Sequence, residues 1–114
     1  MTFVDAVLVH IELVRQFNNG EPVPAEYYIQ TEEKFLEHYK GFTRIIPLAE
    51  GKWIDEESGK TILDFNISYN VLIKKENFDE TFWNDLIKEF EEKFAQKKIL
   101  CYHHDIMSTD IFPD

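Results

Sequence analysis

Thr61-Ile-Leu-Asp-Phe-Asn-Ile-Ser-Tyr-Asn-Val-Leu-Ile-Lys74 is the stretch on which the fold turns. Leu63, Phe65, Ile67, Tyr69, Val71 and Ile73 alternate with Asp64, Asn66, Ser68, Asn70 and Leu72. Successive strand side chains point to opposite faces, so this period of two predicts a strand with one apolar and one largely polar face. A helix would have gathered its apolar residues at spacings of three and four.

Upstream, Glu56-Glu57-Ser58-Gly59 reads as a hairpin turn leading back into a second strand from Phe42 to Asp55. That strand is expected to kink near Pro47 and Gly51, because proline cannot donate to a ladder and belongs at an edge or a bulge. Further back, Pro24 to Tyr39 is helical in pattern, with Tyr28, Phe35, Leu36 and Tyr39 on one stripe and Gly41 as its stop. The chain opens with a strand over Val4 to Phe17, in which Val7, Val9, Ile11 and Leu13 share the core face. Asn18-Asn19-Gly20 supplies the turn after it.

Downstream, a second helix is expected from Asp79 to Lys97, capped by the Asp79 side chain. Its buried stripe is Trp83, Leu86, Ile87, Phe90 and Phe94, and Lys97 and Lys98 close its end. A last strand from Ile99 to Ile106 precedes an acidic tail, Met107 to Asp114. The reading is one α+β domain, residues 1–114, with an ordered core of about 4–106. The order βαββαβ predicts a ferredoxin-like sandwich: a four-stranded antiparallel sheet with two helices on one face. The other face is left open, and His10, Glu12, Asp64, Asn66, Ser68 and Asn70 should point from it.

Composition bounds the function. Twelve basic and 22 acidic residues give a net charge of −10, which disfavours direct nucleic-acid binding because that affinity rests on displaced counterions. No apolar run approaches the roughly 20 residues of a membrane span. The first residues carry neither a basic leader nor a small-residue cleavage site. Cys101 is the single cysteine, so no internal disulfide can form and a reducing, cytoplasmic setting fits.

From Phe35 to Tyr102 the chain also resembles an uncharacterised bacterial family, a domain of unknown function whose members are mostly small lipoproteins. The resemblance rests on Gly41-Phe42-Thr43-Arg44, on Gly51-Lys52-Trp53-Ile54-Asp55 with Gly59, and on Phe94-Ala95-Gln96 leading into Ile99-Leu100. It implies the ferredoxin-like arrangement and carries no activity. The chain departs from the family in having no lipidation leader with its cysteine, and in placing Asp64 near where the family tends to have Glu.

Three groups of residues could carry chemistry. His10, Glu12 and Asp64 fall on two strands that should be neighbours, where a carboxylate could orient a histidine as general base. Adding His103 or His104 would give a set of metal-ligand types, although consecutive strand residues face opposite ways and cannot easily grip one ion. Arg44, Trp53 and Asn66 are candidate ligand contacts, since an arginine beside an indole suits a planar or anionic molecule. Phosphate loops, Cys-x-x-Cys pairs and nucleophile elbows are absent from the sequence. The expectation is therefore a protein-interaction or small-ligand-binding domain that uses its open sheet face, as a homodimer or with a protein partner, and without a cofactor. The alternatives are a small enzyme with a His–carboxylate site on that face and an acidic inhibitor of a nucleic-acid-binding protein.

Overall fold

The computed structural model of the chain describes residues 2–112, and the side chains of residues 46–51, 53 and 62–65 lie outside that description. Four strands, β1 (Phe3–Val14), β2 (Thr43–Ile54), β3 (Thr61–Lys74) and β4 (Cys101–Thr109), form one antiparallel sheet in the order β2-β3-β1-β4. Two helices, α1 (Ala25–Tyr39) and α2 (Glu80–Lys93), alternate with them. This is the ferredoxin-like sandwich.

Both helices lie on one face of the sheet because their buried residues join a single cluster. Phe35 of α1 and Trp83, Leu86 and Phe90 of α2 meet Val7, Val9, Ile11, Leu13, Tyr69, Val71 and Ile73. Rings do much of the filling: Phe35 touches Phe42, Tyr69 and Trp83 at centroid distances of 6.2, 5.7 and 5.6 Å. The alternation of β1 and β3 thus sets which residues are core.

The register contains one irregularity, a shift between Ile45 and Ala49 that brackets Pro47. β2 and β3 also outrun their neighbour. β1 ends where Val14 pairs with Asn66, so residues 61–65 of β3 pair with β2 alone and the two strands project as a ribbon. At its tip Gly59 adopts φ +69°, and its amide donates to the Asp55 carbonyl at 2.7 Å.

Several local details differ from the sequence reading. In α1 the residue beside Phe35 that is buried is Thr31, whose hydroxyl donates to the Tyr27 carbonyl at 2.8 Å. Leu36 is 47% exposed. The helix closes on Lys40, at φ +70° with its amide on the Leu36 carbonyl, and not on Gly41.

Helix α2 begins as expected, with the Asp79 carboxylate accepting from the Phe82 amide at 3.1 Å. It ends four residues before Lys97, because Ala95 turns left-handed at φ +52°. Gln96 is then buried and donates to Asn18 Oδ1 at 3.2 Å, which gives the Phe94-Ala95-Gln96 motif a structural role. Lys97 reaches the ribbon tip instead, 3.0 Å from Glu57 and 3.7 Å from Asp55. Finally, β4 starts two residues late and runs on to Thr109, since Met107 and Thr109 find partners in Asp5 and Phe3.

The core also makes a prediction about alkali. The Tyr28 hydroxyl donates to the Val14 carbonyl at 2.5 Å, and burial pushes its pKa up to about 12. Unfolded tyrosine ionises near 10. A raised folded value means that this stabilisation is complete below pH about 10 and is lost as pH climbs through about 12. Stability should therefore fall as pH rises above about 10, and fall less steeply in Tyr28→Phe, checked by urea midpoints measured between about pH 9 and about pH 12.

Candidate functional site on the open sheet face

The face that the helices leave uncovered is assembled by register. His10 pairs with Asn70 on one side and Tyr102 on the other, and Glu12 pairs with Ser68. Strand neighbours in one row share a face, so these five side chains form a contiguous floor.

Their contacts are specific. His10 Nδ1 stands 2.7 Å from Asn70 Oδ1, and its ring stacks on Tyr102 with centroids 4.8 Å apart and planes at 19°. An amide oxygen can only accept, so Nδ1 carries the proton and a neutral ring keeps its lone pair on Nε2. That nitrogen lies 3.7 Å from Glu12 Oε1, which also accepts from the Ser68 hydroxyl at 3.3 Å.

His10 and Glu12 are 15% and 17% exposed, while Tyr102 is 48% exposed. Next along β3, Asn66 is only 9% exposed, and its Oδ1 is buried without a hydrogen-bond partner among the described residues. A buried acceptor left unpaired costs about 1–3 kcal/mol. Around this floor Ile45 and Leu100 are exposed, with Leu8 and Leu72 half-buried.

The sequence candidates divide. His10 and Glu12 are brought together. Asp64 is not brought to them, because its backbone pairs with Gly51 on the projecting ribbon, six residues along β3 from Asn70. At about 3.3 Å per residue that is about 20 Å. The side chains of Asp64 and Trp53 lie outside the described residues. Asn66 is on the open face, but Arg44 is on the other one, where its Nη1 donates to Glu32 Oε2 at 2.8 Å. The same oxygen accepts from the Tyr69 hydroxyl at 2.7 Å, and burial, with Glu32 second, raises the Tyr69 pKa.

His104 shares the open face beside Leu8, whereas His103 is opposite Val9 and packs against Phe78 at 4.7 Å. Among the described residues, no group of three or more His, Cys, Asp or Glu is placed to hold a metal ion. Cys101 lies partly buried against the core, and burial pushes its thiol up to about 11. The sequence reading missed Tyr102 as a platform and Asn70 as the partner of His10. Both follow from register, and Tyr102's shared face with His104 was the available signal.

Fold and site together define an α+β ferredoxin-like sandwich with an open sheet face that carries a hydrogen-bonded polar floor. No protein-family model matches the chain, and no curated protein matches it. In structure it is similar to a phage SAM lyase solved in complex with S-methyl-5'-thioadenosine, with a TM-score of 0.67. The match covers 96% of this chain and 93% of that one at 10% sequence identity, a likeness of fold. No helix among the described residues is long and apolar enough to cross a membrane.

Proposed function

We propose that the open sheet face binds a small, planar, nucleoside-type ligand. The observation that carries this reading is the floor itself: the exposed Tyr102 ring, stacked on a histidine that Asn70 holds in place, beside the Glu12 carboxylate, whose oxygens are acceptors. A ring of this kind supplies stacking, and the acceptors suit a ligand that presents N–H or O–H groups. The phage SAM lyase with the same fold holds S-methyl-5'-thioadenosine, which supports a ligand of that class. Titration calorimetry with S-methyl-5'-thioadenosine should give saturable heat that Glu12→Leu weakens. Absence of heat with this compound and with adenosine counts against the reading.

A catalytic form of the same reading makes His10 Nε2 the base, oriented by Asn70 in place of the carboxylate expected from sequence. Chromatography of SAM incubated with the protein separates the two forms: consumption that His10→Ala abolishes favours the enzyme. A second reading, a homodimer joined through this face, draws support from Ile45, Leu100 and Tyr102, which leave it partly apolar and uncovered. Native mass spectrometry distinguishes it, because a dimer that Leu100→Glu dissociates would place a second copy on the face.

A further inference from the structure

A second surface lies at the far end of β3. The first pair of β2 with this end of β3 is Thr43 with Asn70, yet β3 continues to Lys74 and stays paired with β1 as far as Ala6. Among the described residues, Val71–Lys74 therefore have no strand partner on the β2 side. Along these four residues the side of β3 that faces away from β1 has no ladder neighbour.

Beside this gap is a concavity of about 500 Å³, bounded by Tyr39 and Lys40 at the end of α1, Leu72 and Lys74 of β3, Asn77 and Phe112. Its apolar residues can take a side chain, and Asn77 can hydrogen-bond. Its charge is unusual for a protein of net −10. Among the described residues, two cations line it and no carboxylate does. Lys74 has one loose ion pair, with Glu76 at 3.6 Å, and no ion pair of Lys40 is found among the described residues.

We propose that the open β3 edge at Val71–Lys74 takes up an extended, acidic segment of a partner protein as an added strand. Main-chain pairing to an exposed edge gives such a complex its affinity, and side-chain pockets give it selectivity. A second copy docking the same edge would set Lys40 and Lys74 against their own counterparts, so charge favours an acidic partner over self-association.

Fluorescence anisotropy with a fluorescein-labelled Glu-Val-Glu-Val-Glu peptide tests this. The peptide should bind, Lys74→Glu and Lys40→Glu should each weaken it by about tenfold, and added salt should weaken it too. Methylating alternate peptide amides should abolish binding, because the added strand would lose its ladder donors. Hydrogen exchange at Val71–Lys74 should slow in the complex. Equal affinity for a Lys-Val-Lys-Val-Lys peptide, indifference to amide methylation, or no binding of the acidic peptide would each overturn the proposal.

Discussion

Replacing Phe35 by alanine should destabilise the protein by about 3–5 kcal/mol, the largest loss expected from any single truncation described above. The ring is wholly buried and touches Phe42, Tyr69 and Trp83, so it joins α1, the β2 entry, β3 and α2 at one point. Domains of this size hold only about 5–15 kcal/mol of stability in total. Phe35→Ala should therefore shift the urea midpoint strongly and leave a measurable unfolded fraction in water. Leu36→Ala, one residue along, provides the control. That side chain is half exposed, and its truncation should stay within about 0.5 kcal/mol. Similar losses at both positions would mean that α1 is rotated about its axis relative to the core described here.

The second large effect is on binding. Tyr102→Ala should weaken a nucleoside ligand by roughly 5- to 150-fold, the equivalent of about 1–3 kcal/mol of stacking. Phenylalanine at this position should restore most of the affinity, since the ring face is what the ligand is expected to use. The half-exposed side chain lies outside the core cluster, so thermal unfolding should change little. Affinity that survives Tyr102→Ala would move the ligand elsewhere on the face, whereas a loss that phenylalanine cannot rescue would assign the effect to the hydroxyl.

How much of this was legible in the sequence depends on the kind of information needed. Alternation within β3 is a property of one segment, so Tyr69, Val71 and Ile73 could be placed in the core, and Asn66, Ser68 and Asn70 opposite them, from residue order alone. Which rungs of β1 and β3 meet is a property of two segments, and a slide by two residues keeps every face intact while exchanging every neighbour. That is why His10 and Glu12 were found together, being i and i+2 on one strand. It is also why Asp64 was wrongly grouped with them, and Asn70 and Tyr102 were not. Helix ends failed for a different reason. Lys40 and Ala95 both adopt left-handed conformations, which a sequence reading assigns to glycine. Thr31 is missing from the stripe read for α1 because its polarity hid the hydroxyl's local bond to the Tyr27 carbonyl.

The central claim, that the open sheet face is a ligand site, is tested most directly by amide chemical-shift mapping during titration with S-methyl-5'-thioadenosine. The account predicts saturable shifts centred on His10, Glu12, Ser68, Asn70 and Tyr102, with the outer surfaces of α1 and α2 unmoved. Shifts confined to the helices, or no shifts at saturating ligand, would contradict it.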